Sequence, residues 1–416
     1  MQSKQIYAAV ELTDHEVRLV IGEFHETRFN ILRVEKVKCN GIVNKLIVNE
    51  QAVVAAVASA VNLASESLGY RIRRVLLSVP SLNFKRCSKR VNVFIEANEK
   101  FATIKHVQMG IKEATSFKPE GNYVLVNIGC IKYINNGITS RKMPIGEICD
   151  LLTMDVDLLY ADRDVVFSYA RAIEKAGLEI LDICIDSYAI GEEAAVFEQT
   201  VDKFVVLVDL SKNDTTLSLF SHGKLLSTDI LEHGYNDWLK PLEEKFKLSE
   251  DTSFRLVCNN ATLIPDDYND AIIYIYAENK VQKQITNREL NETIDSSVIE
   301  WVDMVNSSCE PIVEKGTLRY IVTGEGMEIH GLENIIGKLN SEALVYVPQT
   351  LGGRNCALVT CLGLFYAWKS KMDIYHDERI SADLREVDAA INAEHGKLDT
   401  EHGFTKKLKN ILLNDK

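Results

Sequence analysis

The stretch FVVLVDLSKNDTTLSLF, Phe204 to Phe220, decides the fold. Val205, Val206, Leu207 and Val208 follow one another without a polar break, as in a strand buried on both faces. That run ends in an acid, Asp209, and a short polar turn follows. A second strand then alternates, with Leu217 and Leu219 inward and Ser218 outward. The same order of elements occurs near the N-terminus. Tyr7 to Phe24, YAAVELTDHEVRLVIGEF, reads as a buried strand ending in Glu11, a polar turn, and a strand carrying Val17, Leu19 and Ile21. Two such units about half a chain apart predict a duplicated, two-lobed α/β protein, one unit opening each lobe.

A tight turn between two strands points backbone N–H groups into one concavity, which suits a phosphate. An acid at the strand end suits a hydrated Mg²⁺, and glycine in the turn lets backbone approach the anion. The first turn here is Leu12-Thr13-Asp14-His15-Glu16 and the second is Leu210-Ser211-Lys212-Asn213-Asp214-Thr215. Neither holds a glycine, and Asp14, Glu16 and Asp214 would repel a phosphate. With no nucleotide bound, these three acids are expected to be ordinary solvated turn residues.

Composition narrows the class. A chain of 416 residues is too long for one core. Its 46% hydrophobic and 26% charged residues are ordinary for a globular protein. A net charge of −13 argues against a nucleic-acid partner. The nine cysteines contain no C-x-x-C pair and the nine histidines have no ligand spacing, so reduced thiols and no metal are expected. The N-terminus lacks a signal-peptide pattern. No apolar run is expected to approach the ~20 residues of a membrane span, so any membrane contact is expected to be peripheral.

Periodicity then places the elements. Helices are expected at Ala52–Leu68, Ile104–Ser116, Arg163–Gly177, Ala189–Phe197, Thr286–Val305 and Cys356–Trp368, with Trp301 and Met304 as core. Strands are expected at Arg74–Pro80, Val91–Ile95, Tyr123–Ile128, Leu151–Val156, Leu178–Asp186, Ala271–Tyr276, Tyr320–Thr323 and Leu344–Val347. The organisation is a first lobe in two parts, 1–74 and 161–203, around a small α+β insertion at 75–160. The second lobe spans 204–355, with a smaller subdomain at about 239–310, and a closing helix spans 356–370. Asp373 to His402 holds nine acids against three bases, so 371–402 reads as an acidic linker with room for one short helix. The last segment, 403–416, is separate.

These features together resemble the bacterial cell-division protein family FtsA, of the actin-like fold. The resemblance covers Tyr7 to Trp368 and the tail. It is carried by Val17–Glu23 (VRLVIGE), Gly41-Ile42-Val43, the insertion after Arg74–Pro80, Pro144-Ile145-Gly146, Lys175-Ala176-Gly177-Leu178, Thr323-Gly324-Glu325-Gly326 with Gly331-Leu332, and Leu362-Gly363-Leu364. It implies an ATP and Mg²⁺ site between the lobes. The positions matching that site are Glu11, Asp209, Thr215, Gly324 and Gly326, Glu11 standing for an aspartate. The departures fall on the same pocket. The first loop has lost its glycine and its lysine, and Ser211, Lys212 and Asn213 replace three glycines. Ser253, Phe254 and Val257 replace the nucleoside contact, and Glu325 replaces a central glycine. ATP and Mg²⁺ are therefore expected to bind weakly or not at all, and no catalytic residue is assigned.

The tail, Phe404 to Lys416, places Phe404, Leu408, Ile411 and Leu412 on one helical face and Lys406 and Lys407 off it. That is the pattern of a helix lying on anionic lipid. One such helix binds weakly, whereas many on a polymer bind well. The resemblance implies an actin-like scaffold that polymerises with copies of itself. It would tether FtsZ to the cytoplasmic face of the membrane at the division septum, among other divisome proteins. The alternatives are an ATP-hydrolysing filament former and a pilus-assembly scaffold of the PilM type.

Overall fold

The computed structural model describes residues 5–25, 28–96, 99–200, 203–278, 281–375 and 377–392. The first lobe opens with β1 (Gln5–Leu12), β2 (Glu16–His25) and β3 (Arg28–Lys38), an antiparallel meander. Tyr7, Ala8, Ala9 and Val10 are fully buried, so both faces of β1 are covered. A two-residue turn joins the short β4 (Ile42–Val43) and β5 (Leu46–Ile47). Helix α1 (Glu50–Leu68) follows, capped by the Asn49 side chain and ended by Gly69 in the left-handed region, φ 76°. Strand β6 (Arg74–Val79) then lies parallel to β1.

The insertion follows: β7 (Lys85–Phe94), α2 (Ile104–Thr115), β8 (Tyr123–Asn135), β9 (Ile138–Ser140) and β10 (Leu151–Asp162), with sheet order β7-β10-β8-β9 and its own core. Strand β8 runs seven residues past the expected Ile128. The sequence pattern breaks at Gly129 because the β8–β10 register shifts there, and a bulge interrupts strict alternation. The chain returns through α3 (Arg163–Lys175), β11 (Glu179–Ile185), α4 (Asp186–Glu193) and α5 (Val196–Gln199). The first-lobe sheet has the order β11-β6-β1-β2-β3.

The second lobe repeats the plan. Strands β12 (Phe204–Leu210), β13 (Thr215–Ser221) and β14 (Lys224–Leu231) form a meander. A subdomain of α6 (Asn236–Phe246), α7 (Glu250–Asn260), β15 (Ile272–Glu278), β16 (Val281–Thr286) and α8 (Asn287–Val313) comes next. Strand β17 (Leu318–Thr323) lies parallel to β12. Helix α9 (Leu332–Ile336) leads to β18 (Glu342–Val345), parallel to β17. The order β14-β13-β12-β17-β18 matches that of the first lobe strand for strand. Trp301 on α8 is buried edge-on to Trp238, so it belongs to the core. Helix α8 extends eight residues past Val305 because buried Cys309 continues its apolar face.

Helix α10 (Val359–Tyr375) crosses back to the first lobe and packs on α4. A Cβ at Gly363 would overlap the Ala189 carbonyl, so only glycine permits that approach. One apolar core joins the lobes: Val205, Leu207, Phe220 and Ile321 pack in the same cluster as β1, β2 and α1.

Two expectations change. Helix α1 has the length and apolarity of a membrane span, which the sequence reading had not expected. It nevertheless packs Val53, Ala56, Val57, Ala60, Val61 and Ala64 into the first-lobe core. The acidic segment is also not a free linker over residues 377–392. The Ser381 N–H donates to the Ile6 carbonyl, its hydroxyl accepts from the Ala8 N–H at 2.8 Å, and its carbonyl accepts from Arg73. Ala382 bridges to Ile72, and Val387 is buried. Hydrogen bonds to the start of β1 outweigh the charge pattern that suggested a linker.

Ser381→Ala is expected to lower stability by about 1–3 kcal/mol, because it strands the buried Ala8 N–H. Chemical denaturation and proteolysis of the 377–392 segment check this. An unchanged midpoint with unchanged protection would show that the segment is not anchored there.

Candidate functional site

The duplicated plan brings the ends of β1 and β12 together at the cleft between the lobes. Glu11 is the penultimate residue of β1 and Asp209 that of β12. The β1–β2 turn closes on itself: the Thr13 N–H donates to the Glu16 carbonyl at 2.9 Å, and the Glu16 N–H to the Thr13 hydroxyl at 3.1 Å. The β12–β13 turn is held by Ser211 N–H to the Asp214 carbonyl at 2.9 Å. Its outer side is covered by the start of α6, where Tyr235 and Asn236 donate to the Ser211 and Lys212 carbonyls.

Two cations of the first lobe fill the space between these turns. Arg18 on β2 is only 4% exposed. Its guanidinium donates to Glu16 at 2.6 Å, Glu11 at 3.2 Å, the Ala357 carbonyl at 2.9 Å and, in the second lobe, Glu325 at 2.6 Å. His15 Nε2 lies 3.1 Å from the same Glu325 carboxylate. Lys45, in the β4–β5 turn, reaches Asp214 at 3.0 Å and the Thr216 hydroxyl at 3.2 Å, both in the second lobe, with Asp186 at 4.0 Å. The Asp14 carboxylate accepts the backbone N–H groups of Asn44 and Lys45, at 2.9 and 3.1 Å. Asp14, Glu16 and Asp214 are therefore paired within the protein, not solvated as expected from the turns.

This packing leaves a cavity of about 40 Å³, room for a few waters, where small-molecule pockets usually measure ~300–1,000 Å³. The carboxylates of Glu16 and Glu325 converge with His15 to within 4.8 Å, a ligand-like grouping. Arg18 bonds to both carboxylates, so the chain supplies the counter-charge itself. A nucleotide with its cation does not fit among these residues as they stand. A larger cavity of about 420 Å³ lies elsewhere, between the inserted sheet and α10, beside the Lys371–Asp182 pair.

The expected site residues separate. Glu11, Asp209 and Gly324 do meet at the cleft. Gly324, at φ 97°, lies where a Cβ would overlap the Asp209 carboxylate, and a Cβ at Gly326 would strike Leu210. Both glycines are thus required by packing against β12. Thr215 is not a cleft group. It is fully buried, donates to the His233 carbonyl at 2.7 Å and accepts from the Trp301 indole at 2.9 Å. Ser253, Phe254 and Val257 lie on α7, where Ser253 and Val257 are buried and Phe254 packs against Tyr235. Phe404, Lys406, Lys407, Leu408, Ile411 and Leu412 lie outside the described residues.

The sequence reading missed Arg18 and Lys45. Arg18 stands between the apolar Val17 and Leu19 and drew no notice, yet Ala357 and the second lobe's Glu325 cover its face of the strand. Lys45 follows Asn44 in a two-residue turn, where Asn-Gly is the favoured pair. A lysine in the glycine position was the available signal.

Burial sets the charges. It raises Glu11 above the ordinary carboxylate range, against the pull of Arg18. It raises Asp209 to about 7, opposed by Lys45 and reinforced by Glu11, Asp186 and Asp214. Burial alone would lower Lys45, yet Asp214, Asp186 and Asp209 hold it above its usual value. Burial would raise Glu325, but Arg18 and His15 bring it down to about 2. Glu325 therefore contributes stability above its unfolded pKa, and that contribution is lost as pH falls toward 2.

No protein-family model matches the chain. Cell division protein FtsA of Bacillus subtilis is 22% identical over 371 residues, 88% of this chain and 83% of the relative. FtsA of Enterococcus faecalis is 22% identical over 393 residues, 90% and 86%, and FtsA of Streptococcus pneumoniae 19% over 370, 88% and 80%. Among solved structures, the PilM–PilN type IV pilus biogenesis complex has a chain that superposes with a TM-score of 0.55 at 13% identity, over 87% of this chain and 98% of that one. MreB5 of Spiroplasma citri bound to ADP superposes with a TM-score of 0.50 at 10% identity, over 90% and 99%. This chain has the actin-like fold and resembles FtsA. In this actin-like chain the interlobe cleft is bridged by its own side chains.

Asp209 carries the clearest pH signature. With a folded pKa of about 7 against an ordinary 3.8, the folded state retains a proton that the unfolded state has lost, so stability falls as pH rises from about 4 through 7. Asp209→Asn is expected to raise the thermal midpoint at pH 8, by up to about 4 kcal/mol in free energy, and to converge with the native chain near pH 4. Equal midpoints at pH 8 would contradict the raised pKa.

Proposed function

We propose that this chain is an FtsA-like scaffold of bacterial cell division, tethering FtsZ to the cytoplasmic face of the membrane at the septum. The observation that carries the reading is the resemblance to FtsA over about nine-tenths of the chain, together with the duplicated actin-like lobes and the insertion after β6. The amphipathic pattern of Phe404, Leu408, Ile411 and Leu412, flanked by Lys406 and Lys407, supplies the membrane contact. Self-assembly into a filament multiplies that weak contact, and the other partners are divisome proteins. The nucleotide site is degenerate in this reading: the glycine-free turns and the 40 Å³ cleft leave ATP and Mg²⁺ weakly held or without a role.

A PilM-type pilus scaffold is the second reading, favoured by the superposition on the PilM–PilN complex. The FtsA relatives and the amphipathic tail weigh against it.

Deleting 403–416 is expected to abolish sedimentation with vesicles of anionic phospholipid and to leave co-sedimentation with FtsZ polymers intact. Retained vesicle binding would refute the role of the tail. Full-length chain that ignores FtsZ polymers would refute the scaffold reading and favour the pilus alternative.

A further inference from the structure

Two of the contacts between the lobes are of opposite character. On one side a continuous apolar core runs from β1 and β2 into β12 and β13. At the cleft the contacts are polar and include two ion pairs, Lys45 to Asp214 and Arg18 to Glu325. Apolar packing thus lies on one side and charge pairs on the other.

Lys45 is an unusual residue for its position. Asn44 and Lys45 both have positive φ, 49° and 62°. Asparagine tolerates this region, but lysine is disfavoured in it. Lysine is also an expensive residue to bury, yet its side chain is 14% exposed and its ammonium crosses to the other lobe. The turn is held in place by two more contacts. Asp14 accepts both of its N–H groups, and the Tyr169 hydroxyl donates to the Lys45 carbonyl at 3.0 Å. A strained backbone, doubly braced, thus delivers one cation to three acids: Asp214 at 3.0 Å, Asp186 at 4.0 Å, and Asp209 through space.

We propose that Lys45, seconded by Arg18, is a built-in latch that holds the two lobes closed without a bound nucleotide. Its ammonium neutralises the acids that converge from both lobes. Once it is removed, Asp186 and Asp214, which line the cavity of about 40 Å³, and Asp209, coupled to both through space, lose that counter-charge, and opening the cleft to water relieves their repulsion. The Lys38–Asp251 pair also spans the lobes, at 2.9 Å, but lies in solvent and contributes little. The inference deepens the reading of a degenerate site and rests on it. Nucleotide titration of the native chain tests that reading, whereas exchange in nucleotide-free protein tests the latch, so the two fail separately.

The experiment is hydrogen exchange with small-angle X-ray scattering on full-length, nucleotide-free protein. It compares the native chain with Lys45→Met, Asp214→Asn and the charge swap Lys45→Asp/Asp214→Lys. Aspartate tolerates positive φ, so the swap leaves the turn intact. The two single variants are expected to exchange at least tenfold faster in the 13–16 and 211–214 turns, with a larger radius of gyration and an unchanged core. The swap is expected to restore slow exchange. Folded single variants with native exchange and radius would overturn the proposal. So would a swap that stays open when both singles are open, because the contact would then be steric and not ionic. Asp214→Asn, nearly isosteric and on the opposite lobe, carries the test if Lys45→Met fails to fold.

Discussion

Negative charge at the meeting point of two central strands is the constraint around which this molecule is arranged. Duplication places Glu11 at the end of β1 and Asp209 at the end of β12, and the shared apolar core presses the two ends together. Asp186, at the start of α4, and Asp214 add to the same field. Buried carboxylates in such a cluster must be protonated or paired with cations. Here both occur: Asp209 is driven toward neutrality, while Arg18 and Lys45 answer the others.

The positions of those cations follow from the fold. Strand β2 passes beside β1, so a residue opposite Glu11 in the register faces it directly, and that residue is Arg18. The β4–β5 turn projects toward the second lobe, so a long side chain there reaches the β12–β13 turn. The glycines at 324 and 326 remain because the backbone after β17 runs against Asp209 and Leu210. Their persistence therefore reports close packing, and says nothing of a ligand. The same holds for Thr215, whose hydroxyl is committed to His233 and Trp301.

Much of the fold was legible because it rests on local patterns. The run Val205–Val208, the paired strand–acid–turn–strand units and the helical faces of α1 and α3 each state their structure within a few residues. The contents of the cleft were less legible. Alternation along VRLVIGE singles out Val17, Leu19 and Ile21 and passes over Arg18, because a strand's other face cannot reveal that a second lobe covers it. Asp14 and Asp214 read as repulsive or solvated because their partners are distant in sequence: Asp214 meets Lys45 across 169 residues, and Asp14 meets the N–H groups of Asn44 and Lys45. Charge composition likewise hid the docking of residues 377–392, which depends on hydrogen bonds from one buried serine to the adjoining starts of β1 and β6.

A cleft closed by its own cations changes how such a protein can be controlled. In the scaffold proposed above, assembly would answer to partners and membrane in place of a nucleotide cycle. The most direct measurement is calorimetric titration of the purified full-length chain with ATP and Mg²⁺. No binding up to millimolar nucleotide is the predicted result. Saturable binding in the micromolar range would mean that Arg18 and Lys45 yield to a phosphate, and that the closed cleft is only one state of a working nucleotide clamp.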